Sequence, residues 1–318
     1  MQFERRLRTL SQQLGPRPTV AASSPRKLVF LGDGTRQQKI AAQLAEAHPA
    51  SELRVVITES DGYKAKHELA DADFAYGTLS ADLLAAAPQL QWLQAPAAAP
   101  VGDFYFTELV ASDVTVTNMR GIYDEELSIH MITLMLAVNR QLPAYHSLQL
   151  RHEYTKLPSG GDNPADIPQA GGVDIPRSTA LLVGVGNAGG ETARLCRALG
   201  MKTLGVDARR TEPHDCVDEL YGADKLDELL PLADFILLTI PHTPETEGLF
   251  DTSKFKLMKP SSVFVNVGRG ATVNLDDLAD ALKTGTIGGA GLDVFGSGVV
   301  GKPDLEPLPA DHALWDCP

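Results

Sequence analysis

Three glycines, spaced as Gly184-Val185-Gly186-Asn187-Ala188-Gly189, are the first residues whose arrangement implies chemistry. They directly follow an apolar run, Ala180–Val183, that reads as a strand, and they open a helical pattern over Gly190–Leu199. At such a strand–turn–helix junction the glycines permit a tight turn, a close backbone approach to a pyrophosphate and close packing of helix on strand. The free N–H groups of the helix start then face the phosphates. In a chain with 28 glycines the spacing alone would say little, and a Gly-rich turn in an ordinary βα unit is the alternative. The context decides: Asp207 ends the next strand pattern, 18 residues beyond Gly189. A carboxylate there accepts hydrogen bonds from the adenosine ribose hydroxyls and repels a 2′-phosphate. The combination predicts a dinucleotide site that favours NAD, with Arg209 and Arg210 as a competing signal for a phosphate.

The elements that must position this site alternate along the chain. From Lys27 onward, short apolar runs alternate with helical patterns, which predicts parallel α/β architecture. Leu28–Leu31, Arg54–Thr58, Phe74–Tyr76, Trp92–Gln94 and Val114–Thr117 read as strands, with helices over Gln37–Ala47 and from Ser80, an N-cap, to Ala87. Residues 27–118 thus form a small flavodoxin-like domain, preceded by an extension over residues 1–26. Glu125 to Arg140 carries apolar residues on nearly every side, which predicts a helix buried on nearly every side, between domains or at a subunit interface. Residues 157–176, rich in Gly, Pro and Asp, read as a loop. Five further strands follow, at Ala180–Val183, Thr203–Val206, Phe235–Thr239, Val263–Asn266 and Ala290–Val294. The Rossmann plan has six. Residues 119–318 therefore read as a Rossmann cofactor domain whose sixth strand is absent.

Composition sets outer limits. Lys+Arg number 28 against Asp+Glu 41, a formal charge of -13, which excludes a generally basic nucleic-acid-binding surface. No apolar run approaches membrane-spanning length. Cys196, Cys216 and Cys317 are odd in number and far apart, so neither a disulfide framework nor a zinc site is expected and a cytoplasmic setting is. Arg5, Arg6, Arg8 and Arg17 would suit a transit peptide, but a short amphipathic helix with Phe3, Leu7, Leu10 and Leu14 on one face accounts for the same residues.

Several motifs in order resemble the D-isomer-specific 2-hydroxyacid dehydrogenase family. They are the loop Ala95 to Gly102, Glu108 to Val114 with Thr117-Asn118 and Gly121, and Pro241 to Gly248 with its Pro-x-Thr-x-x-Thr pattern. Most specific are Asn266-Val267-Gly268-Arg269-Gly270 and Leu292-Asp293-Val294. The resemblance implies a nicotinamide-dependent exchange of hydride with a small 2-oxo or 2-hydroxy acid, an N-terminal substrate domain, and a homodimer formed through the helix near 125–140. It implies cofactor contacts from Gly184, Gly186, Asn187, Ala188, Gly189, Asp207, Ile240, Pro241, Thr246, Val267, Gly268 and Asp293, the last toward the nicotinamide carboxamide. Backbone N–H groups near Ala98, Ala99, Val101 and Gly102 would grip the substrate carboxylate. Arg269 suits the carboxylate and the polarised carbonyl, because a guanidinium forks onto planar oxyanions and never titrates away. The alternative for Arg269 is a salt bridge at a helix start.

The sequence departs from the family pattern twice. The glutamate that raises the pKa of the catalytic histidine is expected near position 298, where Gly298 stands; Glu306, in Glu306-Pro-Leu-Pro309, matches the motif after an insertion. The histidine itself belongs to a Thr-Pro-His motif expected beyond Pro318. Of the eight histidines, His312 precedes the Leu314-Trp315-Asp316 segment, His242 borders the cofactor loop and His130 reads as a core or interface residue. A non-catalytic NAD-binding protein is therefore the rival reading. A phosphoglycerate enzyme is disfavoured by a 95–106 loop without Lys or Arg.

Overall fold

The computed structural model describes residues 25–97, 102–155, 157, 172–210, 215–296 and 308–317. The chain divides into two units, one ending at Met119 and the other beginning at Arg120.

In the first unit, β1 (Arg26–Leu31), α1 (Thr35–Ala47), β2 (Leu53–Thr58), α2 (Gly62–Leu69), β3 (Phe74–Tyr76), α3 (Ala81–Ala85), β4 (Trp92–Gln94), α4 (Thr107–Val110) and β5 (Thr115–Thr117) follow one another. All strands are parallel, in the order β2-β1-β3-β4-β5, which is the flavodoxin-like order. Leu28, Val29, Phe30 and Leu31 of β1 are all buried, as a strand covered on both faces requires. Val29 and Leu31 pack with Leu69, Leu83 and Leu93 on one face, while Leu28 and Phe30 pack with Ala41 and Tyr76 on the other. The Ser80 hydroxyl caps α3 by accepting from the Leu83 N–H at 3.3 Å, as its position predicts. Helix α2 has no counterpart in the sequence-based reading, because only Ala65 and Leu69 of its residues are buried and so little apolar surface leaves no periodic signal. Arg26 already belongs to β1; residues 1–24 of the expected extension lie outside the described residues.

The second unit holds α5 (Asp124–Asn139), α6 (Leu142–Leu150), β6 (Thr179–Val183), α7 (Asn187–Ala198), β7 (Lys202–Val206), β8 (Glu219–Tyr221), α8 (Leu226–Leu229), β9 (Phe235–Leu238), α9 (Thr252–Phe255), β10 (Val263–Asn266), α10 (Leu275–Lys283) and β11 (Gly289–Leu292). Its six strands are parallel, in the order β11-β10-β9-β6-β7-β8. Counted from β6, this is the 3-2-1-4-5-6 order of the Rossmann sheet with every position filled. The expectation of a five-stranded sheet missing its sixth strand is thereby corrected. The strand at Ala290 is the sixth, and Glu219–Tyr221 is the one the pattern conceals. It has three residues, none buried, and pairs only with β7, so it carries no apolar run.

Strands β9 and β10 are buried at every residue, which places the core on both sides of the sheet's centre. Leu181, Ile236, Leu238 and Phe264 pack with Phe250, Phe255 and Leu278 on one face; Leu182, Leu237 and Val265 pack with Met131, Met135 and Ala193 on the other. Helix α5 packs on the sheet through Met131 and Met135. Its buried residues are Ser128, Met131, Met135 and Asn139, a single stripe, while Ile129 is 59% exposed. Within one chain the helix is covered on one side. In the stretch expected as a loop, Ile175–Arg177 forms a 3-10 turn, and residues 158–171 lie outside the described residues.

Candidate cofactor and active site

At the carboxyl ends of β6 and β9 the strand order reverses, the place where open α/β sheets bind ligands. Gly184 turns there with φ +96°, a conformation that side chains other than glycine's rarely adopt. The Thr239 hydroxyl donates to the Gly184 carbonyl at 2.9 Å, locking the turn to the end of β9. A Cβ on Gly189 would lie 2.0 Å from the Gly184 carbonyl oxygen, so only glycine lets α7 pack this closely on the strand. Gly186 is different. It is the extended N-cap of α7, without a side-chain cap, and a Cβ there would meet nothing nearer than Arg120 Nη2 at 3.9 Å. The first turn of α7, Asn187, Ala188 and Gly189, follows directly. Open space over a glycine at the positive end of a helix is the cradle a pyrophosphate needs, and these residues fit a dinucleotide. The start of α7 is held from behind, where the buried Ser128 hydroxyl of α5 lies 3.0 Å from the Ala188 carbonyl oxygen.

Asp207 follows β7 directly. One carboxylate oxygen accepts from the Val185 N–H at 2.9 Å; the other accepts from the Arg209 and Arg210 N–H groups, each at 2.9 Å. Burial alone would raise its pKa, but these backbone donors and the Arg210 charge outweigh burial and hold the carboxyl below its ordinary value. A carboxylate has about four lone-pair sites. Three face the backbone, which leaves one for a ribose hydroxyl and ties the glycine loop to the end of β7.

The loop after β9 carries Ile240, Pro241 and Thr246. The Thr246 hydroxyl donates to the Pro241 carbonyl at 2.8 Å and accepts from the Thr243 N–H at 2.8 Å, closing the segment on itself. His242 Nε2 is buried, 3.8 Å from a Glu247 carboxylate oxygen and without a hydrogen-bond partner among the described residues. The loop after β10 packs against this one: a Cβ on Gly268 would lie 2.8 Å from the Ile240 carbonyl oxygen.

Arg269 stands at the end of that second loop on a clamped backbone. The buried Asn266 side chain accepts from the Gly268 N–H at 2.9 Å and donates to the Arg269 carbonyl at 3.0 Å. The Thr272 hydroxyl donates to the same carbonyl at 2.7 Å, and Arg269 Nη1 itself donates to the Gly268 carbonyl at 2.8 Å. Val267, before it, is buried. The loop after β11 lies against this turn, since a Cβ on Gly270 would sit 2.1 Å from the Gly296 nitrogen. In that loop Asp293 meets His130 of α5, with Nε2 3.1 Å from a carboxylate oxygen. A carboxylate only accepts, so the histidine donates. Both side chains are nearly half exposed, so of the two readings of His130, core or interface, the core one is corrected.

The structure therefore gathers Gly184, Gly186, Asn187, Ala188, Gly189, Asp207, Ile240, Pro241, Thr246, Val267, Gly268, Arg269 and Asp293 at the carboxyl edge of one sheet. Gly102 begins a 3-10 turn, Gly102–Tyr105, of the first unit. Ala98, Ala99, Val101 and Glu306 lie outside the described residues. His312 caps the turn Ala313–Asp316 by accepting from the Leu314 N–H at 3.1 Å. Sequence reasoning missed Ser128 and Thr239, and the contact of His130 with Asp293, because these rest on neighbours distant in the chain. No cluster of side chains suited to a metal ion occurs among the described residues, and no helix there is long and apolar enough to cross a membrane.

Comparisons with known proteins agree with this geometry. Residues 132–318 match the family model of the D-isomer specific 2-hydroxyacid dehydrogenase, NAD binding domain. Glycerate dehydrogenase of Methylorubrum extorquens is 35% identical over 184 residues, 58% of this chain and 54% of that protein. A probable 2-ketogluconate reductase of Dictyostelium discoideum is 32% identical over 228 residues, 70% of this chain and 63% of that protein. The match spans less than two thirds of either relative. The crystal structure of a D-isomer specific 2-hydroxyacid dehydrogenase family protein from Aeromonas salmonicida superposes with a TM-score of 0.70 at 30% identity, covering 93% of this chain and 87% of that one. With a NAD-binding domain of matching sequence and a sheet of matching order, the chain belongs to the D-isomer-specific 2-hydroxyacid dehydrogenases, a family of nicotinamide-dependent oxidoreductases.

Proposed function

We propose that this protein interconverts a small 2-oxo acid and its 2-hydroxy acid with NAD(H). The observation that carries the proposal is Arg269, fixed by the Asn266 clamp at the edge of the sheet that also presents the glycine cradle. When bound, NADH supplies a hydride from its C4. Arg269 binds the substrate carboxylate and draws electron density from the carbonyl at C2, stabilising the oxyanion that develops there. Its clamped backbone, together with the Nη1 hydrogen bond to the Gly268 carbonyl, limits the reorganisation required at the moment of reaction. Asp293, oriented by His130, faces the nicotinamide carboxamide. The family resemblance assigns Ala98, Ala99, Val101 and Gly102 to the substrate carboxylate and Glu306 to the role of partner to the general acid. Asp207 supports NADH over NADPH.

A homodimer is part of the same proposal. Helix α6 buries none of its residues and exposes Leu142, Tyr145 and Leu150, and α5 exposes Ile129. These adjacent helices offer apolar surface suited to a second copy. The three cysteines are free thiols, which suits a reducing cytoplasm. The test is NADH oxidation with glyoxylate, hydroxypyruvate and pyruvate, set beside NADH binding without substrate. Binding without turnover of any 2-oxo acid would overturn the catalytic proposal.

A further inference from the structure

We propose that Arg120 is a pyrophosphate-binding residue of the dinucleotide site. The proposal rests on the dinucleotide reading of the glycine loop and extends it to a residue outside that loop. The second glycine of such a loop is needed because the pyrophosphate occupies the side on which a side chain would stand. The direction of the missing Gly186 Cβ therefore marks where the phosphates lie, and the atom nearest that point is Arg120 Nη2, at 3.9 Å. A guanidinium at this distance from the vacant position faces the same space as the phosphate oxygens.

The surrounding charges explain why a cation is needed there. Gly184 through Gly190 supply none. The first arginine of α7, Arg194, is engaged by both carboxylate oxygens of Glu191, at 2.9 and 2.6 Å. The first turn of α5 carries Asp124, Glu125 and Glu126, and Ser128 hooks that same helix onto the first turn of α7. From the glycine loop itself a dianionic pyrophosphate would meet only the partial charge of a helix end. Arg120 is exposed. With five N–H donors in a planar fork, it can keep its contacts within the protein and still present two N–H groups to a phosphate.

The experiment compares the wild type with Arg120→Gln and Arg120→Lys in the full chain, titrating NADH, ADP-ribose and adenosine by calorimetry or fluorescence. Arg120→Gln is expected to weaken NADH and ADP-ribose by about tenfold or more, the range of one charge-assisted hydrogen bond. Adenosine, which has no phosphate, should bind both proteins alike, and the unfolding temperature of the free variant should not move. Arg120→Lys should recover part of the loss, and the salt dependence of ADP-ribose binding should be shallower in Arg120→Gln than in the wild type. If Arg120→Gln binds ADP-ribose as tightly as the wild type, the inference fails while the dinucleotide reading stands. An equal loss for adenosine would make Arg120 a structural residue and also overturns it. If the wild type binds neither NADH nor ADP-ribose, both readings fall together.

Discussion

Gly186 and Gly189 lie three residues apart in one loop, yet alanine should fail at each for opposite reasons. A methyl on Gly189 would sit 2.0 Å from the Gly184 carbonyl oxygen and 2.8 Å from the Thr239 hydroxyl. The first of these is backbone at the end of a central strand, so α7 must move away from the sheet. Overpacking of this kind costs about 1–3 kcal/mol. Separating the Thr239 hydroxyl from the Gly184 carbonyl, now 2.9 Å apart, adds about 1 kcal/mol. For a unit of this size the sum corresponds to a fall in Tm of roughly 5–15 °C. A methyl on Gly186 meets nothing within 3.9 Å, and the φ there is -78°, which alanine adopts freely. Gly186→Ala should therefore keep its Tm within about 2 °C and lose NADH affinity by at least about tenfold, since the methyl occupies the space of the pyrophosphate. Thermal unfolding by circular dichroism and NADH fluorescence titration measure the two effects separately. A Gly186→Ala protein that binds NADH like the wild type would refute the placement of the phosphates. A Gly189→Ala protein of undiminished stability would refute the packing argument.

Arg269→Ala should lower kcat by about 10²–10³-fold, the loss typical of a charged oxyanion stabiliser, with NADH affinity little changed; steady-state kinetics beside a binding titration checks both. Asp207→Ala should narrow the preference for NADH over NADPH, measured by titrating each cofactor. It should also destabilise the protein by about 1–2 kcal/mol, because the Val185, Arg209 and Arg210 N–H groups lose their acceptor. The lowered pKa of Asp207 sets a sign for acid stability. Its contribution is complete above the unfolded carboxyl value of about 3.9 and is lost as pH falls through the lower folded value. Acid unfolding curves of wild type and Asp207→Ala should therefore converge toward the acid end and separate above it. Replacing His130 by leucine should release Asp293 and weaken NADH more than ADP-ribose, which has no nicotinamide; equal losses for both ligands would place the effect elsewhere.

What could be read along the chain is what local physics writes there. The central strands announce themselves because burial on both faces demands continuous apolar runs, as at Val263–Asn266 and Phe235–Leu238. The glycine loop is legible because the φ of Gly184 and the close contact at Gly189 admit no other residue, and Ser80 because a cap needs an acceptor at that position. Strand β8 escapes for the converse reason. Its three residues lie at the sheet edge with one paired side, so neither period nor composition separates them from a loop. Its omission made the Rossmann sheet look one strand short.

The candidate site divides along the same line. Residues proposed to touch ligands need particular chemistry, and so Asp207, Arg269 and Asp293 stand out by type and place. Residues that hold those groups in position need only a hydrogen-bonding atom at the right point, which many types supply. Thr239 reaches back 55 residues to Gly184, Ser128 reaches 60 to Ala188, and His130 reaches 163 to Asp293. None of these spacings recurs as a motif, because the distance along the chain is set by how many elements intervene and not by the contact. Helix α5 shows the consequence. Its apolar residues suggest a structural element alone, yet one face packs on the sheet through Met131 and Met135 while Ser128 fixes the start of α7 and His130 meets Asp293. A shift of this helix would move both the start of α7 and Asp293, the proposed phosphate and carboxamide ends, together. Substitutions on its buried stripe are therefore expected to change cofactor affinity without touching the cofactor.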